Sequence, residues 1–225
     1  MSWESSIEYE RIINTVVRER LGGTHSADLV IRSYDFAAIE ELQAEGRWDD
    51  AGALLSADAV ALVSAGAECI VICTNTMHLL AEQIEAAIDV PLIHLADTTA
   101  DAALAAGSDT VALLGTRYTM EADFYRGRLE RRGLAVLVPD EPDRTVVHDV
   151  IYDELVRGVI SPESKAAYLD IIGRLIDRGA TGVIAGCTEI ELLVTADDVD
   201  VAYFPTARLH AEAAAAWALG DGSPA

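Results

Sequence analysis

The stretch Val183-Ile184-Ala185-Gly186-Cys187-Thr188-Glu189-Ile190 decides how this chain is to be read. Small and branched apolar residues run into Gly-Cys-Thr-Glu, and an apolar-periodic segment follows at once. That order predicts a buried strand, a tight turn and the first turn of a helix. Open α/β folds place their ligands at the carboxyl edge of the sheet, which makes Cys187 a candidate functional residue. A helix N-terminus can lower a cysteine pKa from about 8.5 into a range of roughly 3.5–7.5, so a thiolate-prone Cys187 is expected. Against this stands the commoner role of a free cysteine, a small buried apolar residue.

Outward from this stretch the same rhythm recurs. Strands are expected at 29–31, 69–73, 91–93, 110–114, 134–138, 183–186 and 201–204. Helices are expected at 7–21, 36–42, 48–65, 77–88, 98–106, 120–132, 146–156, 164–178, 190–194 and 206–219. Ser2 or Ser5 is placed to cap the first helix, and Gly22-Gly23 to stop it. Strands alternating with helices at this spacing mean a parallel α/β fold. There is also an internal echo. Ile70-Val71-Ile72-Cys73-Thr74-Asn75-Thr76 leads into Pro91-Leu92-Ile93-His94 and an alanine-rich helix, as the 183–189 stretch leads into 201–204, Thr206 and His210. Two related halves would each present a polar group at a strand end, although parallel α/β units resemble one another in any case.

Composition narrows the chemistry. A chain of 225 residues, 51% hydrophobic, can bury a full core, yet no apolar run is long enough to cross a bilayer. The start, Met-Ser-Trp-Glu-Ser-Ser, is not patterned as a signal peptide, and a cytoplasmic protein is expected. A formal charge of −22 with no basic patch argues against a nucleic-acid partner. Lys165 is the sole lysine and sits in a polar helix start, which leaves little room for pyridoxal-phosphate chemistry; a phosphate-loop motif is absent. Cys69, Cys73 and Cys187 lack zinc-like spacing and read as reduced thiols, so neither metal nor cofactor is expected.

Hydroxyl and thiol groups on opposite sides of one carbon suit a two-base reaction, in which one group removes a proton beside a carboxylate and the other returns it. Asn75, Thr76, Thr116 and Thr188 all fall at strand ends beside free backbone N–H groups. A single Ser or Thr there is more often a helix cap.

Met1-Ser-Trp-Glu-Ser-Ser, Cys73-Thr-Asn-Thr-Met-His, Leu114-Gly-Thr-Arg-Tyr-Thr-Met-Glu, Gly186-Cys-Thr-Glu-Ile and Leu209-His-Ala-Glu-Ala together resemble the aspartate/glutamate racemase family over the whole chain. The resemblance implies two similar flavodoxin-like α/β domains with parallel sheets, related by a pseudo-two-fold axis, with the active site between them. Residues 1–94 and 203–225 would form the first domain and 95–202 the second. It also implies a homodimer and a cofactor-independent amino-acid racemase, with two opposed residues acting at Cα. Cys187 matches one of these, and Thr74 stands at the other. Met1, Asn75, Thr76, Thr116, Thr188 and Glu189 fall at the substrate-binding positions.

The departures carry information. Two-cysteine members read Cys-Asn-Thr where this chain has Thr74 before Asn75, with Cys73 one place earlier. Successive strand side chains point to opposite faces, so Cys73 is not expected to replace Thr74. A threonine hydroxyl is too weak an acid to be a resting base, so Cys187 is expected to abstract the proton and Thr74 to relay one, using the two enantiomers unequally. The family places a strand and Gly-Gly before Met-Ser-Trp-Glu, so a first strand upstream of Met1 is expected. Aspartate-specific members carry Pro-Asp-Arg where Ser33-Tyr34-Asp35-Phe36 stands, and Pro205-Thr206 replaces the usual Asp-Thr. Aspartate or glutamate is the favoured substrate. The alternatives are a hydantoin racemase, a malonate-type decarboxylase or a non-catalytic small-molecule binder. Among the rest, His78 reads as lining the cleft or as a helix-surface or capping residue, His94 and His210 as structural, Glu189 as tuning the thiol or favouring the helix N-terminus, Arg117 and Tyr118 as touching substrate or closing the loop, and Trp3, Trp48 and Trp217 as core or interface aromatics.

Overall fold

Helix α1 (Trp3–Leu21) starts where Ser2 caps it, the Ser2 hydroxyl accepting from the Ser5 amide at 3.4 Å. It stops at Gly22 and Gly23, whose φ values of 74° and 59° suit glycine. Its inward stripe is Tyr9, Ile12, Ile13 and Val17. The structure, a computed structural model, describes residues 2–221. It divides into two units, Met1–His94 with His210–Ala225, and Leu95–Leu209. Both are mixed α/β with parallel strand pairing.

The first unit packs α1, α2 (Phe36–Ala44), α3 (Trp48–Ser64) and α4 (Ala81–Glu85) with strands β1 (Ile70–Val71) and β2 (Leu92–Ile93). Ile39, Leu55, Ile70, Ile72, Met77 and Ile84 form its core. The expected helix at 77–88 is a 3-10 segment, Thr76–Leu80, followed by the single turn and a half of α4.

The expected strand at Leu29-Val30-Ile31 is not one. These residues are 38, 48 and 49% exposed and pair with no strand among the described residues. They run along a cavity of about 720 Å³ whose walls include Ile13 and Val17 of α1, Ile70 to Cys73, and Ala214 and Trp217. A branched apolar run fits a pleated surface, but a strand exists only where a neighbour takes its N–H and C=O groups. Trp3, read as a core or interface aromatic, is 59% exposed.

The second unit carries β3 (Thr110–Gly115), β4 (Ala135–Leu137), β5 (Gly182–Gly186) and β6 (Ala202–Pro205), all parallel in the order β4-β3-β5-β6. Side chains alternate between its faces as the strand period requires. Ala112, Leu114, Val183 and Ala185 pack against α8 (Asp143–Asp153) and α9 (Pro162–Asp177) through Val147, Ile151, Tyr168 and Ile172. Val111, Leu113 and Ile184 pack against α5 (Leu95–Ala105) and α7 (Asp123–Arg131) through Ala100, Tyr125 and Leu129. Coverage on both faces is what a near-continuous apolar strand such as 110–115 demands. The helix expected at 120–132 is broken into α6 (Arg117–Glu121) and α7, with Ala122 extended (φ −81°, ψ 146°) between them. Helices α10 (Ile190–Leu193) and α11 (Thr206–Ala218) complete the chain.

Candidate active site

In the second unit the candidate residues collect at the carboxyl edge of the sheet. Strands β3 and β5 end in register, Gly115 opposite Gly186, so Thr116 and Cys187 leave from adjacent strand ends. The approach is tight. A Cβ on Gly186 would stand 2.7 Å from the Leu114 carbonyl oxygen, and one on Gly115 would stand 3.0 Å from the Gly186 carbonyl oxygen. Thr206 follows β6 and donates its hydroxyl to the Ala185 carbonyl at 2.8 Å, tying the start of α11 to the strand that delivers Cys187. Thr116 is a helix cap, accepting from the Thr119 amide at 3.4 Å.

Cys187 is half-buried, and its thiol donates to the Glu189 carboxylate at 2.9 Å. This overturns the expectation of a thiolate-prone cysteine. Burial pushes the thiol well above its ordinary range, and the Glu189 charge and hydrogen bond push it further. The Glu189 amide pulls the other way and is outweighed. Helix α10 is only four residues long and begins three residues on, so its dipole is weak at the sulfur while a full negative charge lies in contact. The resting species is therefore a thiol with its proton acceptor in place. Thr188 and Glu189 complete the half-buried turn. Tyr168, whose hydroxyl donates to the Val147 carbonyl at 2.7 Å, belongs to the apolar cluster on which Cys187 packs. Sequence reasoning passed over it, because a tyrosine inside a long helix gives no signal of what it faces.

In the first unit Thr74, Asn75 and Thr76 form the turn after β1, with Asn75 and Thr76 buried and Thr74 half-buried. The Thr74 amide donates to the Ile72 carbonyl at 2.7 Å, and the Ser5 hydroxyl donates to the Cys73 carbonyl at 2.8 Å. Burial pushes the Cys73 thiol up to about 12. His78 is buried and bonded to this turn rather than exposed on a helix surface. Met1 lies outside the described residues.

Two arginines lie at or beside stretches weighed for substrate contact. Arg32 stands one place before the stretch read as lacking an arginine, where it pairs with Asp58 at 3.1 Å and covers the Tyr34 ring at 4.5 Å. Arg117 is exposed, directly after Thr116, and reaches Thr145 at 3.3 Å and Glu121 at 3.8 Å. The sole lysine, Lys165, is held by Asp198 at 2.7 Å. No helix among the described residues is long and apolar enough to cross a membrane.

A sequence model described as Asp/Glu/Hydantoin racemase matches residues 1–214. Among solved structures, a candidate Asp/Glu racemase from Yersinia pestis is 53% identical, with a TM-score of 0.92 over 97% of this chain and 95% of that one. An aspartate racemase homologue from Pyrococcus horikoshii OT3 is 32% identical, with a TM-score of 0.85 and the same coverage. Aspartate racemase from Picrophilus torridus, 16% identical over 96% of this chain and 88% of that one, shares the fold at a TM-score of 0.69.

Proposed function

Since this chain belongs to the Asp/Glu/Hydantoin racemase family, we propose that it racemises amino acids without pyridoxal phosphate, aspartate or glutamate being the favoured substrates. Cys187 and Thr74 are the two proton-transfer groups. The observation that carries this reading is the Cys187 thiol donating to Glu189 at 2.9 Å on the sheet edge. Glu189 accepts the sulfur's proton as substrate arrives. The thiolate then removes the proton from Cα, and electrons pass into the neighbouring carboxylate as an enolate-like anion. Amide and hydroxyl donors at Thr116, Thr188, Asn75 and Thr76 stabilise that charge. Thr74 delivers its hydroxyl proton to the other face of Cα and takes a replacement from water. Cys187 ends with the substrate's proton, Glu189 returns its own to solvent, and the opposite enantiomer leaves.

A thiol with a carboxylate acceptor and a threonine with none among the described residues are unequal bases, so the two enantiomers are deprotonated at unequal rates. The decisive measurement is proton NMR in deuterium oxide with L- and D-aspartate, glutamate, other amino acids and 5-substituted hydantoins. The Cα signal should fade as the opposite enantiomer appears, and Cys187→Ala should abolish both. A folded protein that exchanges nothing would sink the racemase reading, and carbon dioxide release from a malonate would replace it with decarboxylation. Equal initial rates from both enantiomers would overturn the assigned asymmetry alone.

A further inference from the structure

Three histidines in the first unit are buried and have no part in the proton transfer above: His78, His94 and His210, at 2, 2 and 0% exposure. Their rings meet edge-on, His78 to His94 with centroids 4.5 Å apart and His78 to His210 at 5.5 Å. Tyr9 closes the group from α1, its ring edge-on to His210 at 5.5 Å. The partners fix where the hydrogens lie. A carbonyl oxygen only accepts, so His210 Nε2, 2.7 Å from the Ile93 carbonyl, carries a hydrogen. In its neutral form His210 then accepts at Nδ1 from the Tyr9 hydroxyl, 2.8 Å away. By the same reasoning His78 Nδ1 carries a hydrogen and donates it to the Thr74 carbonyl at 2.7 Å.

That last bond completes a pattern. The carbonyls of Ile72, Cys73, Thr74 and Asn75 are taken in succession by the Thr74 amide, the Ser5 hydroxyl, the His78 ring and the His78 amide, the last at 3.1 Å. Each peptide plane of the turn is thereby pinned, and the direction of the Thr74 side chain with it. Cys73 is held from α1, but Thr74 is held by one imidazole whose own orientation depends on the two rings packed against it.

We propose that His78 is a positioning residue for Thr74, with His94, His210 and Tyr9 bracing its ring. The proposal rests on the reading of Thr74 as a proton-transfer group. Loss of the His78 donor frees the Thr74–Asn75 peptide to rotate and swings the hydroxyl it carries. A displacement of about 1 Å costs a reaction on the order of 100-fold. Cys187 lies in the other unit, so its half of the reaction keeps its geometry.

The test separates the two half-reactions. In deuterium oxide, deprotonation by Cys187 and return of a deuteron on the same face gives exchange with retention, whereas inversion needs Thr74. His78→Leu should lower inversion roughly 100-fold while retained-configuration exchange stays within a few-fold of the parent. His78→Asn, whose amide nitrogen overlays Nδ1, should restore most of the inversion, and Tyr9→Phe should lie between. Equal loss of exchange and inversion in a folded His78→Leu protein, or no rescue by asparagine, would overturn the proposal. Amide hydrogen exchange at Asn75, whose N–H shares a peptide plane with the Thr74 carbonyl, supplies a readout independent of activity. It should quicken in His78→Leu and not in His78→Asn. If the parent racemises nothing, the functional reading fails; the bracing of the turn then stands or falls on the Asn75 amide alone.

Discussion

A thiol that faces a carboxylate is protonated at rest and has somewhere to send its proton, so Glu189 acts on Cys187 in two opposed ways. Replacing it with glutamine removes the negative charge that raises the thiol, so the alkylation profile of Cys187 in Glu189→Gln should move to lower pH. The same change removes the proton acceptor, so Cα exchange should fall. A cysteine at once more nucleophilic and less catalytic would distinguish an acceptor from a mere electrostatic neighbour. His210 carries a different pH signature. Burial holds its folded pKa at about 4, below the unfolded value of 6.5, with Tyr9, His78 and the Ile93 carbonyl against it. The unfolded chain therefore binds the proton first as pH falls. Stability should be whole above pH 6.5 and drop by up to about 3 kcal/mol by pH 4, as urea midpoints across that range would show. His210→Phe should flatten the curve.

At the scale of strands and helices, the paired ends of β3 and β5 matter most. Gly186→Ala would drive a Cβ against the Leu114 carbonyl, costing about 1–3 kcal/mol and shifting Cys187 outward. The urea midpoint should fall, and exchange at Cα should drop more steeply than stability does. This junction was readable in advance: Val183 to Gly186 is apolar on both faces, and the break to Gly-Cys-Thr-Glu marks its end. The strand at 110–115 was readable for the same reason. What escaped were features that local composition does not set. Leu29 to Ile31 has strand composition and no strand to pair with among the described residues. Ala122 breaks a helix without any residue that breaks helices. The thiol's protonation depends on how a side chain two residues away folds back, and helix-dipole reasoning weighed the wrong charge.

Over the whole molecule, 38 acidic side chains against 16 basic ones set a field that a dicarboxylate must enter against repulsion. Raising the ionic strength from about 0.01 M to 0.15 M shortens the screening length from roughly 30 Å to 8 Å. KM for aspartate or glutamate should therefore fall a few-fold over that range, while KM for a neutral zwitterion such as alanine stays level. The comparison reads the net charge of the true substrate from kinetics alone. The run from Leu29 to Ile31 has a consequence of its own. Proteases grip their substrates as extended strands, and here an apolar segment lies half in solvent with no strand pairing among the described residues to peel away. Brief digestion with thermolysin should nick the native protein at this segment first, and mass spectrometry would find the scissile bond within residues 28–32 while the four-stranded unit is still intact.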